Sequence, residues 1–292
     1  MRSGKLKSYL NLHLIVFIWG FTAVLGDLIT IRDASLVWYR MLLASLFLLA
    51  YALIVKKDLA LPPKAVGKMV VVGILIAVHW IFFFRAIDIS NVSITLAVFS
   101  AGAFFASVLE PIFYKRKMLW YEVFFGLVII AGLAIIMQVE VRYIEGALSA
   151  LFSVLMGVFF TLANGKLIQR YDPTVITIYE FASGFALVTL FLVFDGRFTA
   201  EFFDVSGQDW MLLLLLSSIC TAYAFTAAVS VMRKLTPYTV MLTTNLEPVY
   251  GILLAYFILG ESERMSTSFY IGAALILLTV VLNGYLKTKK AN

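Results

Sequence analysis

Residues Leu235–Glu261, LTPYTVMLTTNLEPVYGILLAYFILGE, decide the fold. From Tyr238 to Gly260 the stretch runs 23 residues with one charge, Glu247, near the middle and directly before Pro248. As a helix it would be roughly 35 Å long, enough to cross a hydrocarbon core of about 30 Å. A carboxylate at that depth must be desolvated or protonated. The proline after it removes a backbone donor and leaves the Thr244 carbonyl without its helical partner. Such positions face protein or a water-lined cavity rather than lipid. The stretch predicts a polytopic membrane protein built around a polar passage.

The rest of the chain agrees. Hydrophobic residues make up 62% and charged residues 14%, far from the balance of a soluble domain. The N-terminal Arg2, Lys5 and Lys7 precede an apolar run, as in a signal peptide. That run is long and no small-residue cleavage site follows it, so it is expected to stay as a first span. Ten apolar segments follow one another at about 10–29, 34–55, 66–87, 91–114, 119–139, 145–166, 174–194, 210–232, 238–260 and 268–286. The connections are short. The longest, Asp195–Asp209, is expected to lie along the membrane surface as a short helix.

Charge sets the orientation. With the N-terminus in the cytoplasm, the inside segments and span ends hold 17 Lys and Arg and the outside ones five, and Arg40 alone lies deep within a span. That bias places both termini in the cytoplasm, which requires an even number of spans. It also explains the net charge of +6 as topology, with no nucleic-acid partner implied.

Residues His79–Gly132 overlay Phe225–Leu278 at a constant offset without a gap. The overlay lays the turn at Ile89-Ser90 on Leu235-Thr236, and Gly102 on Pro248. Those last two are the candidate hinges. The predicted fold is an all-α integral membrane protein of ten transmembrane helices in two five-helix repeats, residues 1–142 and 143–292. Five is odd, so the repeats are inverted, a plan that puts a transporter's substrate site near the midplane between halves.

Several polar or aromatic residues stand where lipid alone would not hold them. Arg40 lies roughly 9 Å below the outer surface and either snorkels to headgroups or faces inward toward an anionic group. His79, beside Trp80, lies at similar depth and meets either a neighbouring carbonyl or a ligand. Sliding the second span over the seventh lays Tyr39-Arg40 on Tyr179-Glu180, which marks Arg40 for an outer vestibule and Glu180 for an inner one. The plainer role for Glu180 is pairing with Lys166. Trp19 and Tyr223 stand mid-span, as space filling or as cavity lining for an apolar solute. Glu110 and Glu122 flank Lys115–Lys117 as interfacial partners of those cations. Glu247 is open to three roles: proton coupling, substrate contact, or donation to a backbone carbonyl.

Other chemistries lack their signatures. Cys220 is the one cysteine, so no intramolecular disulfide or Cys-rich metal site is available. Gly165-Lys166 lacks the remaining residues of a phosphate loop. His13 and His79, the only histidines, stand in different spans with no zinc spacing. No Gly-x-Ser-x-Gly turn offers a nucleophile. No cofactor, metal or catalytic residue is expected, and an enzyme is not.

Trp19-Gly20, Tyr39-Arg40, Thr236-Pro237, Leu246-Glu247-Pro248 and Leu259-Gly260-Glu261 stand in an order and spacing that resemble the EamA-type permeases of the drug/metabolite transporter superfamily. The resemblance covers nearly the whole chain. It departs in the first half, where Gly102 and Lys115 replace the pattern's proline and glutamate. The resemblance implies a bacterial inner-membrane transporter or facilitator of small metabolites such as amino acids or drugs, with efflux the expected direction. The expected partners are a small-molecule substrate, the lipid bilayer and, where Glu247 takes its proton-coupling role, protons; a monomer is the expected state. A lipid flippase would use the same frame with a lateral opening. An intramembrane enzyme would need a nucleophile and base, or a metal site, that the sequence does not offer.

Overall fold

The computed structural model describes residues 2–139 and 141–291, and among them there is no strand. The helices are α1 (Arg2–Leu28), α2 (Asp33–Ile54), α3 (Pro63–Ile89), α4 (Val92–Phe99), α5 (Gly102–Tyr114), α6 (Trp120–Val139) and α7 (Ile144–Leu167). They continue with α8 (Pro173–Phe194), α9 (Ala200–Phe203), α10 (Gly207–Ser217), α11 (Ala224–Val231), α12 (Pro237–Thr244), α13 (Glu247–Leu259) and α14 (Thr267–Ala291). A π-helical turn, Ser218–Tyr223, joins α10 to α11 without a break in the apolar run. Among the described residues, eight helical stretches are long and apolar enough to cross a membrane. Two further apolar helices, Trp120–Ile136 and Thr267–Thr279, are shorter. Each of the ten apolar segments of the sequence overlaps one of these stretches, eight of which reach spanning length.

Sequence locates the helix ends. Asp172 caps α8, its carboxylate accepting from the Thr174 and Val175 amides, and Pro173 opens the first turn where its missing N–H costs nothing. Ser206 caps α10 in the same way. The long connection carries α9, as expected. Its Phe198, Phe202 and Phe203 ring Trp38, and the Phe202 carbonyl accepts from the Tyr39 hydroxyl at 2.8 Å.

The fourth and ninth apolar stretches are broken helices with matching landmarks. α4 begins behind Asn91, whose side chain accepts from the Ile94 amide, and α12 behind Thr236, which accepts from the Thr239 amide. α4 stops at Phe99 and α12 at Thr244; the chain restarts as α5 at Gly102 and as α13 at Glu247. α5 ends on Lys115 and α13 on Gly260, both with positive φ. Each landmark and its counterpart are equally far apart along the chain. That spacing is one residue short of the register that lays Gly102 on Pro248, so Gly102 falls on Glu247 instead. A hydropathy profile cannot detect a one-residue slip inside an apolar helix. Pro248 also sits differently from the expected mid-helix kink. It lies in the first turn of a new helix, where it needs no donor. Asn245, in the ninth stretch's break, donates to the Ser100 carbonyl at 3.2 Å and so ties the two breaks together.

α3 packs chiefly on α7 and α8, α2 on α8, α6 on α14, and α1 on α13 and α11. Without a hydrophobic force between helices in lipid, close approach falls to small residues. Gly20 of α1 meets α13 so tightly that an added Cβ would lie 2.8 Å from Tyr250 Cβ and 3.2 Å from the Gly251 amide nitrogen. Gly20→Val should therefore push α1 off α13 at a cost of about 1–3 kcal/mol. Thermal unfolding in detergent should drop by several degrees, and an unchanged midpoint would show that the crossing is looser than it looks.

Candidate functional site

A cavity of about 950 Å³, its open mouth included, lies among α1, α2, α3, α7, α11, α12 and the start of α13. Five of the residues singled out by the sequence line it: Trp19, Arg40, His79, Trp80 and Glu247. They come from four separate apolar stretches and meet only in the folded bundle.

Arg40 is 2% exposed and does not snorkel. Its Nε donates to Thr221 Oγ1 at 2.7 Å, and its guanidinium carbon lies 3.9 Å from the centroid of the Trp80 ring. Its Nη1 has no hydrogen-bond partner among the described residues. Thr221 is held by the π turn, since its hydroxyl donates five residues back to the Leu216 carbonyl at 2.7 Å. The π turn thus keeps a hydroxyl oxygen aimed at the guanidinium. An arginine fixed on one edge and one face, with a nitrogen to spare, is a preformed donor for a carboxylate or similar anion.

His79 takes the backbone option that the sequence left open. Its Nδ1 lies 2.8 Å from the Ser153 carbonyl oxygen, and the Ser153 hydroxyl donates back to the His79 carbonyl at 2.7 Å. With the proton of Nδ1 given to Ser153, Nε2 is left as an acceptor. The ring packs edge-on against Phe160, 5.2 Å between centroids. Glu247 is 7% exposed and shares the cavity with Arg40, whose described partners are Thr221 and Trp80 rather than this carboxylate.

Glu180 and Tyr223 do not line the cavity. Glu180 is fully buried beside it, accepting from Asn164 Nδ2 at 3.2 Å. It does not pair with Lys166, which donates instead to the Phe113 carbonyl at 2.8 Å. Tyr223 is 48% exposed on the outer face of its helix, while Cys220 and Phe225 on either side point inward. In a bundle surrounded by lipid both helix faces are apolar, so hydrophobic periodicity does not say which one turns in. Gly102 and Pro248 flank the two helix breaks, and Pro248 borders a separate apolar pocket with Ser100 and Asn245. Glu110 and Glu122 both pair with Arg116, at 3.1 and 3.3 Å, and the second Glu110 oxygen accepts from the Tyr238 amide at the start of α12.

The sequence reading missed Thr221, Asn164 and Asn245. Each is a small polar residue in an apolar run. Such residues usually bond their own helix, and only the fold shows which of them turn elsewhere.

The fold defines a polytopic helical membrane protein with a cavity between its helices. Residues 6–138 and 144–285 each match the EamA-like transporter family, and the chain belongs to that family. It is 22% identical over 301 residues to the uncharacterized transporter YxxF of Bacillus subtilis (strain 168), covering 99% of this chain and 94% of that one. It is 24% identical over 284 residues to an uncharacterized transporter of Archaeoglobus fulgidus, covering 94% and 96%. A solved crystal structure superimposes with a TM-score of 0.73 at 16% identity, over 98% of this chain and 99% of that one; at that identity the likeness concerns the fold.

Proposed function

We propose that this protein is a secondary transporter or facilitator, with efflux its direction, that moves small metabolites, among them amino acids, drugs and related solutes, across the cytoplasmic membrane. The observation that carries the reading is Arg40: buried, stacked on Trp80, and holding one unpartnered nitrogen in a central cavity that Glu247 also lines. A buried cation with a free donor is costly unless something arrives to meet it. In this reading Arg40 receives an anionic group, Glu247 faces a cationic or hydrogen-bonding group, and Trp19, Trp80 and His79 hold the body of the solute.

Ten spans in two inverted halves complete the proposal. Its support is the twofold family match, the matched breaks of the fourth and ninth stretches, and the pairing of α2 with α8. α2 and α8 both have 22 residues, and end to end they lay Arg40 on Glu180. Each carries a tyrosine that donates to the connection following the other, Tyr39 to Phe202 and Tyr179 to Leu59. The test of function is uptake and efflux in proteoliposomes with a panel of amino acids and organic cations, with and without a proton gradient. No movement of any solute above empty vesicles would overturn it.

Orientation has its own test. With both termini in the cytoplasm, a single cysteine at Arg116 or Lys117, in a Cys220→Ser background, should react with an impermeant maleimide only after the membrane is opened. Reaction from outside on intact cells would overturn the ten-span arrangement.

A further inference from the structure

Glu180 and Asn164 form a buried polar pair that the Arg40 site does not use. Both side chains are buried, Glu180 fully and Asn164 with 1% exposed. Asn164 Nδ2 donates to one Glu180 oxygen at 3.2 Å. The other Glu180 oxygen, Oε1, and the side-chain amide oxygen of Asn164, Oδ1, both lack partners among the described residues. Two orphan acceptors on two adjoining side chains cannot satisfy each other. One hydrogen added to the carboxyl group supplies the missing donor, and a side-chain rotation or an amide flip presents the Asn164 oxygen to it.

No cation does this work. α8 packs against α2, α3 and α11, and Asn164 belongs to α7. On α2, Arg40 is engaged with Thr221 and Trp80. On α3, Lys64 and Lys68 are exposed at the helix end and His79 is bonded to Ser153. On α7, Lys166 binds the Phe113 carbonyl, and just beyond α11, Arg233 donates to the Tyr171 carbonyl. At the head of α8, Asp172 pairs with Lys57 at 2.8 Å. α3 also closes the space from one side: a Cβ on Gly73 would collide with the Glu180 carbonyl and the Ser183 hydroxyl. An ionised carboxylate sealed in this way would lack compensation.

The site is nonetheless within reach of solvent, because Asn164 and Thr161 line the cavity. The geometry points to Glu180 and Asn164 as a proton-binding site, separate from the Arg40 contact, through which a proton gradient drives transport. This assignment rests on the transport reading. When the cavity faces the outside, a proton from solvent adds to Glu180 Oε1, giving a neutral carboxylic acid bonded to Asn164. When the cavity faces the cytoplasm, water reaches the acid, the proton leaves and the carboxylate is hydrated. A proton shifts the conformational equilibrium only by this difference in affinity between the two states.

The test uses the full-length protein in lipid vesicles and infrared difference spectra across a neutral-to-alkaline pH step. The wild type should show a titrating protonated-carboxyl band. The band should vanish in Glu180→Gln, persist in Glu247→Gln, and shift in frequency in Asn164→Leu, which carries the test if Glu180→Gln fails to fold. In solute transport, Glu180→Gln should lose gradient-driven accumulation by at least about tenfold, equivalent to about 1.4 kcal/mol, while solute exchange continues. A band insensitive to Glu180→Gln, in vesicles that do transport, overturns the site alone. Wild-type vesicles that move no solute overturn the transport reading and the coupling with it.

Discussion

Replacing Arg40 by glutamine should reduce transport at least tenfold once protein levels are matched. The side chain is buried, and one guanidinium nitrogen remains unpartnered in the cavity. A hydrogen bond to a charged group contributes about 1.5–3 kcal/mol, so losing one from solute recognition alone corresponds to roughly a 10–100-fold effect. Arg40→Lys should rescue little. A lysine ammonium is a compact point charge, and it cannot at once bond Thr221, lie flat on Trp80 and keep a planar donor edge for the solute. Thr221→Val separates positioning from charge. It removes the acceptor that fixes Nε and leaves the cation in place, so binding should weaken by less than in Arg40→Gln. Melting temperatures of all three variants guard against mistaking instability for lost recognition. Arg40→Gln protein that transports like the wild type would remove Arg40 from the solute site.

The legible part of this structure is what lipid imposes on sequence. Segment length, the count of apolar runs and the charges between them follow from hydrocarbon thickness and the cost of charge within it. Of the charges that break that rule, Arg40 and Glu247 line the cavity and Glu180 is buried beside it. The helix starts at Thr236-Pro237 and Asp172-Pro173 likewise rest on residues that act locally. What stayed hidden depends on rotation about a helix axis or on backbone that leaves the α ladder. Tyr223 faces out and Thr221 faces in, though both belong to one π turn within one apolar run. No composition rule marks that turn. The register between the fourth and ninth stretches slipped for a related reason: a one-residue shift changes which atoms meet but hardly changes mean apolarity. Glu180 shows the third limit. Its partner, Asn164, is 16 residues away on the preceding helix, and nothing in the sequence pairs it there rather than with Lys166.

Glu247→Gln is the remaining large effect, and it weighs substrate contact against coupling and structure. The carboxylate opens α13 directly after the break, in the same cavity as Arg40 and one residue before Pro248. Glutamine keeps the shape and a donor but never carries charge. If Glu247 only donates to a nearby carbonyl, the amide can take over and neither exchange nor accumulation changes. If Glu247 carries the proton, the variant should lose gradient-driven accumulation and keep substrate-driven exchange. If it faces the cationic or hydrogen-bonding end of the solute, both activities should fall together, by roughly tenfold for a bond of about 1.5 kcal/mol. The last outcome is the expected one, because a separate buried carboxyl, Glu180, with an orphan acceptor beside it, is the better proton site. A cationic solute should then suffer most and a purely anionic one least, since only the former meets the lost charge. Preserved exchange with lost accumulation in Glu247→Gln would move the proton to α13 and overturn the assignment to Glu180.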